Sequence, residues 1–176
     1  MIHYRTINKA EICRELFKGF IRRQIVTKCR RRENNTWVIK DAPFVDDWSE
    51  EDYKTLVFCL KNTVSTGGLV YGAFSDGVLK GFVSVESELF GDEHKYLDLS
   101  CIHVSEDLRN RGIGANLFLE AKKWAKENGA ERLYISAHSA VETQAFYKKM
   151  GCVDAVYIKQ EHVEKEPFDC QLEIKL

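Results

Sequence analysis

Apolar residues recur along this chain with two periods, and the switches between them mark out its elements. Ile2 to Thr6 alternates as a short strand does. Asn8-Lys9-Ala10-Glu11 then has the logic of a capping box, a side-chain acceptor followed three residues later by a glutamate. Ile12, Leu16, Phe20 and Ile21 follow at helical spacing, weakened by Gly19, so one long helix or two short ones fit equally. Residues 33–48 keep neither period and are expected to be irregular. Ser49-Glu50-Glu51-Asp52 opens the next helix with acids facing the positive end of its dipole. Tyr53, Leu56, Val57, Leu60 and Val64 form its apolar stripe, and Gly67-Gly68 stop it.

The second half alternates strands with helices. Leu69–Phe74 and Val78–Glu86 flank Asp76-Gly77, a two-residue hairpin signal. Tyr96–Val104 is a strand. From Gly112 to Asn128 the spacing of Leu117, Ala121, Trp124 and Ala125 predicts a helix, ended by Gly129. A strand over Leu133–Ala137 leads to Ser139-x-x-Glu142, a second capping box, which opens a helix running to Met150 and closed by Gly151. Two more strands are expected at about 153–160 and 169–175. The pattern is α+β, with a strand-helix-strand-helix-strand unit in the second half, on one domain spanning residues 1–176.

Composition narrows the function classes. Of 176 residues 44% are hydrophobic and 30% charged, with a net charge of -1, which supports a sizeable core and gives no global field for nucleic acid. The run Arg22, Arg23, Lys28, Arg30, Arg31 and Arg32 is therefore read as a solvated helix end, and nucleic acid is not expected as a partner. Asp46, Asp47, Glu50, Glu51 and Asp52 form an acidic patch that could attract a cationic amine, although the helix start explains the last three. No window approaches the roughly 20 apolar residues of a membrane span, and the first residues lack a signal peptide's apolar stretch. A cytoplasmic location with no membrane partner is the expectation. Six cysteines stand without a CxxC pair, and Cys101-x-His103 is unsupported elsewhere, so reduced thiols and no metal site are expected.

The chemistry concentrates at one turn. The strand Leu97-Asp98-Leu99-Ser100-Cys101-Ile102-His103-Val104 runs through a short loop into Arg109-Asn110-Arg111-Gly112-Ile113-Gly114 and then the long helix. Glycines at a strand-to-helix turn let backbone approach a ligand, and the first free N–H groups of the helix point at it. That combination suits phosphate oxygens. A P-loop needs Gly-Lys-Ser/Thr, which Gly114-Ala115-Asn116 lacks, and the dinucleotide fingerprint needs a third small residue where Leu117 stands.

A third pattern fits better. Arg-x-x-Gly-x-Gly after Leu99-x-x-Ile102-x-Val104, with Phe146-Tyr147-Lys148-Lys149-Met150-Gly151-Cys152 on the following helix, resembles the GCN5-related N-acetyltransferase (GNAT) superfamily. The specific match covers about residues 97–152, with Cys152 where a phenylalanine is usual. The resemblance implies a mixed, mostly antiparallel sheet with a V-shaped splay, flanked by helices. It implies acetyl-CoA as cosubstrate, its pyrophosphate held by Arg109, Asn110, Arg111, Gly112, Ile113, Gly114 and Ala115. Its pantetheine would lie along Ile102, His103 and Val104, with Ser139 as a further contact in place of the family's asparagine, here Ala140. Tyr147 matches the family's usual general acid. Asp98 is the first candidate base, with Glu86 and then Glu88 behind it. The acceptor would be a primary amine on a small molecule or peptide, in a pocket built by residues 20–50 and the last strands, and a homodimer is compatible with the family. A non-catalytic acyl-CoA-binding sensor or interaction module of the same fold is the alternative, and a nucleotide-binding domain a second.

Overall fold

The computed structural model describes every residue from Met1 to Leu176. The alternating segments form β1 (Ile2–Thr6), β2 (Arg23–Glu33), β3 (Thr36–Asp47), β4 (Leu69–Ser75), β5 (Val78–Val85), β6 (Tyr96–Val104), β7 (Arg132–Ala137), β8 (Val153–Asp154) and β9 (Cys170–Lys175). The helices are α1 (Glu50–Ser65), α2 (Ile113–Glu127), α3 (Val141–Lys149) and α4 (Gln160–Lys165). Seven strands make one sheet in the order β1-β4-β5-β6-β7-β9-β8, and β2 and β3 pair separately. Every neighbouring pair in the large sheet is antiparallel except β6 with β7. No helix is long and apolar enough to cross a membrane.

Alternation assigns the strand residues to two faces. Leu69, Ala73, Leu97, Leu99, Leu133 and Ile135 meet the buried stripe of α2, formed by Ile113, Leu117, Phe118, Ala121 and Ala125. Val70, Phe74, Leu79 and Phe82 join Tyr53 and Leu60 of α1 and the amino-terminal Ile7, Ile12, Phe17 and Phe20 in a second cluster. A fully buried side chain of this size contributes about 1.5–3 kcal/mol, so the two layers fix the sheet between them.

Four features depart from the sequence expectation. The capping box at Asn8 forms, with the Asn8 N–H donating to the Glu11 carboxylate at 3.0 Å. The periodic residues after it, however, make two 3₁₀ turns, Lys9–Glu11 and Arg14–Phe17, in place of α-helix. Residues 23–47 are a long hairpin, not a helix end followed by irregular chain. Its turn places Asn34 and Asn35 at φ 47° and 63°, the left-handed conformation a tight hairpin needs and asparagine tolerates. Arg23, Arg30, Arg31 and Arg32 lie along β2, with Arg30 over the Trp37 ring at 4.1 Å and 3.5 Å from Asp154, whereas Arg22, expected to be solvated, is buried against Asp46 and Trp48. Both faces of this hairpin are mostly solvated, which removes the apolar alternation that would have announced it.

The segment expected as a strand over 153–160 pairs only at Val153 and Asp154, then turns into α4. Finally, the N-cap of α3 is Ala140, and no side chain caps it, so the capping box read at Ser139 does not form. The Ser139 hydroxyl instead accepts from Arg31 of β2, and its carbonyl accepts the Arg30 N–H at 2.7 Å. With the Cys29–Ala140 bridge, these bonds clamp the hairpin onto the loop between β7 and α3.

Candidate active site

Two irregularities in β6 create the site. The first is a register shift opposite Ser84 and Val85: Cys101 faces Ser84 and Leu99 faces Val85, so Ser100 is the extra residue of a bulge. Leu97 and Leu99 point into the α2 layer before it, and Ile102 and Val104 pack against the same layer after it. Cys101 goes to the other side. The change of parity between Leu99 and Ile102 was visible in the sequence but was not read as a bulge.

The second irregularity is the end of pairing. β6 and β7 share only the positions Tyr96–Arg132, Leu97–Leu133 and Asp98–Tyr134. Beyond Asp98 the two strands diverge, and the β6 edge that faced β7 loses its partner. Buried backbone polar groups need partners, so this gap is suited to a ligand that carries amides of its own.

A cavity of about 820 Å³ opens on the α2 side of the gap. Ile102 and Val104 of β6, Arg109, Asn110, Gly112, Ile113, Gly114 and Ala115 of the turn, and Tyr147 of α3 line it. Of the residues the resemblance assigned to the cofactor, His103, Arg111 and Ser139 do not. Arg111 is exposed beside the turn. His103 lies in the opposite layer, edge-on to Trp48 at 4.8 Å and tilted on Phe82 at 5.5 Å. Part of its surface stays accessible, yet the ring is enclosed on both sides, and burial with Arg22 and Arg109 nearby pushes its pKa down to about 3. It is a neutral packing residue at neutral pH. Ser139 is engaged by the hairpin as described.

The turn is built for an anion. Asn110 and Gly112 both take positive φ, 60° and 78°, and the helix begins at Ile113 directly after. Its first N–H groups lack intrahelical partners and carry the positive end of the dipole. A Cβ built on Gly112 meets nothing within 4 Å, so the space above it is open to a ligand. Gly114 differs: a Cβ there would sit 3.3 Å from Phe146, so this glycine lets α2 and α3 approach. The Arg109 side chain turns back to donate to the Val104 carbonyl at 3.2 Å and braces the loop.

Tyr147 is 5% exposed, and its phenol pKa is raised above the ordinary range, chiefly by burial. Asp98 is also buried, on the other face of β6. Its Oδ2 accepts from the Lys159 ammonium at 3.1 Å and lies 2.5 Å from His162 Nε2, while Oδ1 is buried without a partner. Glu86 lies just past β5 and accepts from Thr63 at 2.8 Å and Ser100 at 2.6 Å. Its backbone N–H donates to the Asp98 carbonyl at 2.9 Å, and Glu88 is exposed. The sequence reading missed Lys159, a polar residue within a segment read as a strand, and found no constellation for His162 just beyond it. No group of histidines, cysteines and carboxylates is placed to hold a metal ion.

Comparison with known proteins agrees with the fold. No curated protein matches the sequence. Among solved structures, a Bacillus anthracis str. Ames protein described as a streptothricin acetyltransferase, in complex with acetyl coenzyme A, superposes with TM-score 0.72 at 16% identity, covering 100% of this chain and 99% of its own. Nourseothricin acetyltransferase gives 0.67 at 18%, covering 98% and 95%. PaiA N-acetyltransferase from Thermoplasma acidophilum, in complex with coenzyme A, gives 0.61 at 17%, covering 100% and 99%. At such identities these likenesses establish the fold. The sequence model of the Acetyltransferase (GNAT) family matches residues 33–152, most of the chain, and this protein is a member of the GNAT acetyltransferase family.

Proposed function

We propose that the protein transfers an acetyl group from acetyl-CoA to a primary amine, by direct attack in a ternary complex, as a single-domain cytoplasmic enzyme. The observation that carries this reading is the open space over Gly112, at a helix start that continues into an unpaired strand edge. The donor set fits the group. Asn110 through Ala115 supply backbone N–H groups for a pyrophosphate, and the free edge at Ile102 to Val104 supplies an extended partner for pantetheine amides.

Acetyl-CoA supplies the activated acyl group as a thioester. The protein's residues handle protons and charge around it. An alkylammonium has a pKa of about 10 and must lose a proton before it can attack. Asp98 is the base candidate: it lies at the vertex where β6 and β7 part, and one carboxylate oxygen has no donor. A backbone N–H on the open edge near Ile102 donates to the carbonyl oxygen as negative charge grows there. Tyr147 protonates the departing sulfur. Burial raises its pKa, so the phenol stays protonated and is present as an O–H donor to the sulfur. Base and acid thus face opposite sides of β6, one toward the acceptor and one toward the donor.

Calorimetric titration with acetyl-CoA, with ATP and NAD as controls, tests the assignment. Selective micromolar binding is expected, followed by thiol release with an amine panel. Absence of binding to a folded protein free of coenzyme A removes it.

A further inference from the structure

The face of β6 away from the cavity carries a box of aromatic rings. Phe90 stacks on Tyr96 at 5.6 Å and packs against Tyr134 at 5.6 Å and Tyr157 at 5.8 Å. Tyr96 and Tyr157 close the other side at 5.7 Å. A cation sits against this box already: the Lys159 ammonium lies 4.4 Å from the Phe90 centroid and 3.1 Å from Asp98. His162 completes the wall, stacked on Tyr134 at 5.9 Å with its Nε2 on the same carboxylate oxygen.

Two facts make this more than a structural ion pair. The remaining oxygen of Asp98 is buried with no donor, a costly arrangement that a second N–H group would relieve. The segment that delivers Lys159 also lies at the surface. α4 has no buried residue, and Val156 and Ile158 beside Lys159 are 80% and 41% exposed. Its backbone is tied by the N–H groups of Ala155 to the Gln171 carbonyl at 2.9 Å, of Val156 to Glu173 at 3.1 Å and of Lys159 to the Tyr134 hydroxyl at 3.1 Å, so the Lys159 side chain, not the segment, is what an incoming cation moves.

We propose that the Asp98 carboxylate and the ring box of Phe90, Tyr96, Tyr134 and Tyr157 form the ammonium subsite of the acceptor, and that Lys159 is its built-in occupant. The acceptor is then a primary alkylammonium on a flexible, unbranched aliphatic arm, the chemistry shared by a lysine side chain and a polyamine. It enters by displacing Lys159 and, being untethered, turns its three N–H groups toward both carboxylate oxygens, Oδ1 included. The Phe90 ring face attracts the cation, and the four-carbon stem of Lys159 shows the length of arm the site accepts. Because Lys159 is tethered, it competes at high effective concentration and weakens every free amine. This inference rests on the acetyltransferase reading for its role but not for its test.

The test uses n-butylammonium, the charged stem of lysine alone, titrated calorimetrically into the full chain without acetyl-CoA. Lys159→Met keeps the stem and removes the charge; it is expected to bind the probe at least tenfold more tightly than the wild type. Lys159→Gln serves if the methionine variant misfolds. Adding Asp98→Asn to either variant is expected to abolish the gain. Equal binding by wild type and a folded Lys159 variant overturns the proposal, and so does a gain that survives Asp98→Asn. Titrating the Lys159 variants with acetyl-CoA separates the two readings: failure there removes the donor assignment, whereas failure of the probe removes the subsite.

Discussion

The two sides of β6 are specified by different kinds of information. On the α2 side, the turn from Arg109 to Ala115 presents backbone, and the residues that shape it are ones whose backbone behaviour is distinctive: Gly112 at positive φ and Gly114 against Phe146. On the other side, the surroundings of Asp98 are made by side chains from four separate segments, around residues 90, 96, 134 and 157–162. A ligand gripped by main chain leaves a compact motif in the sequence. A ligand gripped by side chains leaves scattered residues that only folding brings together.

The sharpest way to break that contrast is Gly112→Asp. It forces an unfavourable φ and puts a negative charge into the pyrophosphate space, so acetyl-CoA affinity is expected to fall 100-fold or more by calorimetry. Unchanged affinity in a folded protein would mean that the turn does not serve the donor. Tyr147→Phe comes next. Removing one general acid costs about 10²- to 10⁴-fold in kcat, with little change in acetyl-CoA affinity, as steady-state kinetics beside direct binding would read. A wild-type rate takes Tyr147 out of the chemistry.

A smaller effect is expected on the hairpin side. Arg31→Ala releases the Ser139 hydroxyl and the Phe168 ring, which Arg31 covers at 4.5 Å. Losing a hydrogen bond of this kind costs about 1 kcal/mol, read as a lower urea midpoint, while acetyl-CoA affinity holds. Weakened acetyl-CoA binding would show that the clamp supports the donor side too.

A further effect concerns acid. His103 has a folded pKa of about 3, below its unfolded value of roughly 6.5. Between those values the unfolded chain binds a proton that the folded one refuses, so stability is lost as pH falls through that window. His103→Gln is expected to narrow the difference between urea midpoints at pH 7 and pH 5. An unchanged difference assigns the acid sensitivity to other groups.

Legibility in the sequence followed the same division. The strand into the glycine turn, the long helix after it and the Phe146-Tyr147 segment were readable because strong periodicity and glycine placement act locally. The hairpin over 23–47 was not, since its buried positions reduce to Val26 and Cys29 on β2 and its arginines satisfy themselves on Trp37, Phe168 and Asp154. The capping box read at Ser139 failed because a distant arginine claims that hydroxyl, a long-range bond that no local rule sees. Lys159 and His162 escaped for the same reason, their partner Asp98 lying 61 and 64 residues away. The bulge at Ser100 was the readable feature that went unread, in the change of parity between Leu99 and Ile102.

The short parallel contact between β6 and β7 has a mechanical consequence. Backbone pairing between the β1-β4-β5-β6 half of the sheet and the β7-β9-β8 half is limited to three register positions, while α2 and its core span both. Any molecule that lies in the gap with its own amides paired to the β6 edge acts as a temporary extra strand across a seam. Such a molecule binds only while the gap keeps its shape, so its presence stabilises this arrangement of the two halves by mass action. The amides along Leu99 to Val104 would then exchange their hydrogens with solvent most freely when the gap is vacant and most slowly when it is filled.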